Sequence, residues 1–180
     1  MRLFVAISLA PEVIDALEQF SRSLRSTGDN LRWTSPETWH ITLQFLGETS
    51  DENYHCLVSR LRKIIVRPIR IRLDGASFFD RAGVFFAGIE VSPQLREVER
   101  LVVAASSRCG VVAEARPYHP HVTLARAKGE DRGRALRALK PRVPQDVSFT
   151  PFIAPEFLLF QSFLGPGGAR HEIRERFPLA

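Results

Sequence analysis

His40-Ile41-Thr42-Leu43-Gln44-Phe45-Leu46 and His121-Val122-Thr123-Leu124-Ala125-Arg126 are two versions of one phrase, His-apolar-Thr-Leu, in a chain of 180 residues. Each alternates polar and apolar side chains, which is the period of a half-buried strand. Residues two apart on a strand share a face, so each phrase presents an imidazole beside a hydroxyl over aliphatic anchors. The alternation assigns Ile41, Leu43 and Phe45 to the core side. Two such strands indicate an ancient duplication, one motif per lobe, with the motifs meeting across a cleft.

The surrounding pattern gives strands and helices in an antiparallel arrangement. Arg2 to Ser8 is a short apolar run and reads as a core strand rather than a secretion signal, because Pro11 and a helical pattern follow directly. Val13, Ile14, Leu17, Phe20 and Leu24 form the stripe of that helix, and Gly28 closes it. After the Ser35-Pro36-Glu37 turn and the first motif, Thr49 and Glu52 have capping-box spacing for a second helix. Its inner stripe is Leu57, Val58, Leu61, Ile64 and Ile65, and Pro68 stops it. Ile69 to Phe79 and Val84 to Val91 read as strands joined by the turn Asp80 to Gly83. Ser92-Pro93 opens a third helix striped by Leu95, Val98, Leu101, Val102 and Ala105. A short basic helix covers Arg132 to Lys140. Phe157 to Leu164 and Glu172 to Phe177 close the chain as strands around Gly165-Pro166-Gly167-Gly168. That glycine-rich turn lacks the lysine and the following helix of a phosphate loop. The paired strands with short connections predict an α+β fold rather than a doubly wound parallel sheet. The unit expected is one bilobal domain over residues 1–180, with one motif at 40–43 and the other at 121–124.

Composition excludes disorder, since 44% of residues are hydrophobic and 25% charged. No apolar run approaches the ~18 residues of a membrane span. The net charge of +5 comes from 22 Arg and 3 Lys. Guanidinium forks suit phosphate, which makes an anionic partner one reading and base-composition bias the other. Cys56 and Cys109 lie far apart and show neither a disulfide framework nor a metal signature. They fit a reducing, cytoplasmic setting.

The chemistry lies in the paired motifs. Histidine titrates near neutrality, so one imidazole can accept a proton while the other donates one. Threonine hydroxyls donate to phosphate oxygens. Arg126, just past the second motif, supplies a fixed cation for charge building on phosphorus. This set suits in-line displacement at a phosphodiester with no metal and no cofactor.

At these residues the sequence resembles the two-histidine phosphoesterase superfamily, marked by a pair of H-x-T motifs, and within it the bacterial and archaeal RNA 2′,3′-cyclic phosphodiesterases, once called 2′-5′ RNA ligases. MRLFVAI at the start, Leu31-Arg32-Trp33, HITLQFLGE at 40–48 and RPYHPHVTLAR at 116–126 follow that family's order, so the resemblance spans nearly the whole chain. It implies a bilobal α+β fold with pseudo-two-fold symmetry and opening of a 2′,3′-cyclic phosphate to a 2′-phosphate. Carried over by motif, His40 and His121 are the acid/base pair; His40 is read as the acid and His121 as the base, an orientation that a pseudo-symmetric pair of motifs does not itself fix. Thr42 and Thr123 bind phosphate oxygens and Arg126 contacts the phosphate. The expected partners are RNA ends or nucleotides bearing a cyclic phosphate, met by a monomer without metal or membrane. Reverse ligation to a 5′-hydroxyl is the same chemistry with an alcohol replacing water, and is expected to be slow.

The neighbours of the motifs carry competing readings. His119 shares a strand face with His121 as a metal-type His-x-His or, more simply, as a rim residue. Tyr118, Phe45, Phe85 and Phe86 are candidates to stack on a base, against a packing role for each. Trp33 and Trp39 flank the first motif as packing residues. The basic runs Arg60 to Arg72 and Lys128 to Arg142 are either phosphate-tracking surfaces or solvated faces. His55 and His171 carry no reading. Two other functions compete with the leading one: the same chemistry on a 2′-5′ oligonucleotide or a cyclic phosphate of ADP-ribose, and RNA binding without catalysis.

Overall fold

The apolar run Arg2–Ser8 becomes β1, an inner strand of a four-stranded antiparallel sheet. A computed structural model describes residues 1–112, 115–129, 131–165 and 168–180. After β1 come α1 (Pro11–Leu24), β2 (Leu31–Trp33), a 3-10 turn at Pro36–Thr38, and β3 (His40–Glu48) carrying the first motif. Next are α2 (Asp51–Leu61), β4 (Ile69–Ile71), β5 (Leu73–Phe79), β6 (Val84–Ile89) and α3 (Pro93–Ser107). β7 (His121–Ala127) carries the second motif, and α4 (Arg132–Leu139), β8 (Phe152–Ala154), β9 (Glu156–Gly165) and β10 (Gly168–Pro178) complete the chain. The sheet that holds β1 has the order β10-β9-β1-β3, a second antiparallel sheet has the order β2-β7-β6-β5, and β4 pairs with β8. One hydrophobic cluster reaches from Leu3, Val5 and Ile7 of β1 to Phe85, Val122 and Leu124, so both sheets and the helices share a core.

Local chemistry explains the helix starts. Pro11 and Pro93 stand in first turns, where a missing N–H costs nothing. The Ser92 hydroxyl accepts from Leu95 N–H and the Asp131 carboxylate from Arg134 N–H. At α2 the cap is Ser50, which accepts from Asn53 N–H, and not Thr49. Thr49 is buried and donates its hydroxyl to Gly47 O instead. α2 ends at Leu61, so Ile65, expected on its inner stripe, is 83% exposed.

Three further departures from the sequence expectation shape the site. The run Ile69 to Phe79 is broken into β4 and β5, which pair with different strands. β2 and β8, each three residues long, are too short for a period to show. Cys56 of α2 and Cys109, just past α3, form a disulfide with Cα atoms 5.8 Å apart. The reading of two separate reduced thiols is therefore wrong: α2 packs on α3, and 53 residues of sequence separation concealed the contact. Of the glycine-rich turn before β10, Pro166 and Gly167 lie outside the described residues.

The motif strands share one irregularity. Along β1 and β3, Ala6 faces Thr42, Val5 faces Gln44 and Phe4 faces Phe45, so Leu43 is passed over. Along β6 and β7, Phe86 faces Thr123 and Phe85 faces Ala125, so Leu124 is passed over. Each is a β-bulge, which places two consecutive residues on the core side and reverses the alternation beyond. Leu43 and Gln44 are both buried, as are Leu124 and Ala125. Phe45 was expected in the core, but the bulge turns it to the motif face, where it is 55% exposed. Arg126 occupies the matching place in the second sheet, exposed and on the face of Thr123.

Candidate active site

His40 and Thr42, on β3, and His121 and Thr123, on β7, are all half-buried on the outward face of their strands. β2 covers only Ala125 to Ala127 of β7, so the first half of β7 lies beside β3 and the two motifs are neighbours. Thr34 fastens them together. Its hydroxyl donates to Thr123 O at 2.7 Å and Leu124 O at 3.0 Å, and its N–H donates to Leu124 O at 2.9 Å. The same hydroxyl accepts the indole N–H of buried Trp39, the residue before His40, at 2.9 Å. Trp33 packs edge-on against Phe85, so both tryptophans hold the frame.

The two imidazoles are oriented by the same device. Nδ1 of His40 lies 2.7 Å from Thr38 O, and Nδ1 of His121 lies 2.8 Å from His119 O. A carbonyl only accepts, so each Nδ1 carries the proton and each neutral ring keeps its lone pair on Nε2. Among the described residues, neither Nε2 nor the hydroxyls of Thr42 and Thr123 bond to another protein group. Aromatic rings support both histidines. His40 lies 4.7 Å from Phe4, whose ring stacks on Phe160. His121 lies 5.0 Å from Phe79 and 5.2 Å from Phe86, themselves stacked.

Burial pushes His40 down to about 4, against the help of its bond to Thr38 O, with His171 and His121 adding repulsion. Burial also lowers His121, with His119 and Arg126 as the repelling charges. Arg126 is held below its usual range by burial and by Arg32. With no anion bound, both imidazoles are neutral at pH 7; an arriving phosphate reverses the balance by favouring the charged rings.

The sequence-predicted residues thus come together on one face: His40, Thr42, His121, Thr123 and Arg126. Of the stacking candidates, Phe85 and Phe86 are core, and the buried Tyr118 hydroxyl is pushed up by burial. Phe45 alone of the four is broadly exposed. His119 packs edge-on against Phe79 and Phe86 and orients His121 through its carbonyl. Sequence reasoning missed His171. Its ring on β10 lies 5.2 Å from His40 and 4.9 Å from Phe4, and only strand pairing could have revealed this. Much of the second basic run is engaged internally. Arg137 meets Asp131, Lys140 meets Asp80, and Arg142 donates to Leu24 O and Ser26. Two hollows of about 430 and 560 Å³ are lined by Leu61, Arg62 and Phe177, and by Asp29, Lys128 and Arg134, with no motif residue in either.

Two antiparallel sheets, each offering a bulged His-x-Thr strand to the other, define a two-histidine phosphoesterase fold. The family model described as the 2′-5′ RNA ligase superfamily matches residues 5–151, and the chain belongs to that family. The chain is 33% identical to an RNA 2′,3′-cyclic phosphodiesterase of Thermus thermophilus, over 99% of its own length and 90% of the relative's. It is 28% identical to the RNA 2′,3′-cyclic phosphodiesterase of Escherichia coli, over 99% of this chain and 96% of that one. Among solved structures, E. coli LigT complexed with 3′-AMP superposes with a TM-score of 0.80 at 26% identity, covering 99% of this chain and 97% of that one. A solved structure from Thermus thermophilus superposes with a TM-score of 0.79 at 31% identity, covering 99% of this chain and 98% of that one. No helix among the described residues is long and apolar enough to cross a membrane.

Proposed function

We propose that the protein is an RNA 2′,3′-cyclic phosphodiesterase that opens the cyclic phosphate to a 2′-phosphate, with each sheet forming one lobe of a single domain over residues 1–180. The observation that carries this reading is the matched pair of imidazoles, each held by a carbonyl on Nδ1 with Nε2 turned to the shared face. Water attacks phosphorus as its proton passes to Nε2 of His121. The bond from phosphorus to the 3′-oxygen breaks, and that oxygen takes the proton of His40. Thr42 and Thr123 donate to the non-bridging oxygens, and Arg126 offsets their growing charge. Charge distribution supports this order. Beyond burial and His119, the permanent cation Arg126 bears on His121 and favours its neutral form beside a bound anion. The groups that repel a charge on His40, His171 and His121, carry none while neutral, so the anion's field favours the protonated His40. Phe45, exposed on the same face, stacks on the terminal base.

The protein works as a monomer and without metal, on RNA ends. The proton transfers and charge offset are supplied by side chains already in place. A 2′,3′-cyclic nucleotide assayed in EDTA tests the reading. Turnover to the 2′-phosphate is expected, with a bell-shaped pH profile and a loss of about 100-fold or more in either His→Ala variant. A substrate with a nitrophenolate leaving group separates the roles, because it needs no acid. It restores His40→Ala and leaves His121→Ala slow. Full activity in the double His variant excludes the mechanism, and salt-dependent RNA binding without turnover identifies an RNA-binding protein instead.

A further inference from the structure

Arg32 of β2 and Arg126 of β7 are Cα partners across an antiparallel pair, so their side chains leave the same face of the sheet. Like charges placed directly opposite one another are destabilising. Both residues are exposed, and among the described residues neither meets a carboxylate. By contrast Arg22, Arg62, Arg72, Arg137, Arg170 and Arg176 all have acidic partners.

The backbone that carries Arg32 is held firmly for so short a strand. Leu31 N–H donates to one oxygen of Asp29 and the Trp33 indole N–H to the other, at 3.1 and 2.9 Å. Lys128 N–H donates to Asn30 O on one side of Arg32, and Thr34 N–H donates to Leu124 O on the other. Leu31 is buried and Trp33 is covered by Arg25, whose guanidinium lies 5.4 Å from the ring. The fold thus carries two like charges on facing backbone positions, on the face of Thr123, at a cost that a bound anion would remove. A guanidinium pair matches phosphate oxygens in geometry and charge.

We propose that Arg32, with Arg126 shared between two phosphates, seats the phosphodiester on the 5′ side of the terminal cyclic nucleotide, so that the site selects RNA ends over free cyclic nucleotides. This rests on the phosphodiesterase reading above. The test compares a 2′,3′-cyclic mononucleotide with a dinucleotide ending in the same cyclic phosphate, for the wild-type protein and for Arg32→Ala and Arg32→Gln. Each variant should lose about tenfold or more in kcat/KM on the dinucleotide, mainly through KM, the scale of one charge-assisted hydrogen bond. The mononucleotide should change less than about twofold. The salt slope for the dinucleotide should fall by about 0.7, one phosphate contact on a single strand. The melting temperature should hold or rise, because a like-charge neighbour is gone. An equal loss on both substrates, or no loss on either, overturns the second-phosphate seat and leaves the phosphodiesterase reading intact. A wild-type protein inert on both substrates overturns that reading, and the seat with it.

Discussion

Lowering the pH from 7.5 to 5 should destabilise the fold through His40. Its folded pKa of about 4 lies below the ordinary histidine value of 6.5. Between these values the unfolded chain binds a proton that the folded chain refuses, so stability is complete above pH 6.5 and falls as acid is added. Linkage over that window gives a loss of about 2 kcal/mol at pH 5 from this group alone, levelling off below about pH 4. His121 and His171 are lowered in the same direction and add to the slope. Urea denaturation at both pH values, for the wild type and for His40→Gln, isolates the contribution of His40. The variant should lose about 2 kcal/mol less than the wild type between the two conditions. Inorganic phosphate should reduce the wild-type loss, because an anion on the motif face favours the charged ring. Parallel losses in the two proteins would show that His40 is not held neutral by burial, and the charge argument for its role would fall with it.

Thr34→Val removes the hydroxyl that joins the motifs and leaves the buried indole N–H of Trp39 without a partner. It should cost about 1–3 kcal/mol in chemical denaturation and lower kcat by up to about 100-fold, while Thr34→Ser retains both. Phe45→Ala should raise KM about tenfold with kcat little changed, read from initial rates on a cyclic nucleotide, because the ring is largely exposed on the motif face. Reduction of Cys56–Cys109 releases a constraint across 53 residues, worth about 4 kcal/mol by loop entropy. Denaturation with and without reductant measures it, and an unchanged midpoint together with two titratable thiols would show that the bond is absent.

The local sequence determined the motif strands, the helices opened by Pro11 and Ser92-Pro93, and the side of the strand that His40, Thr42, His121 and Thr123 occupy. These follow from periods and caps, which depend on neighbours in the chain. Only the tertiary structure decided what happens past each motif threonine. A bulge is a property of two paired strands, so the alternation in β3 placed Phe45 in the core when pairing with β1 turns it outward. The same displacement in β7 puts Arg126 beside Thr123, on the face opposite to the one that strict alternation assigns to it. Likewise His171 reaches His40 through β9 and β1, Arg32 faces Arg126 through a three-residue strand, and Cys56 meets Cys109 through helix packing. Each of those contacts depends on which strands and helices are neighbours in space, and long-range packing alone selects them.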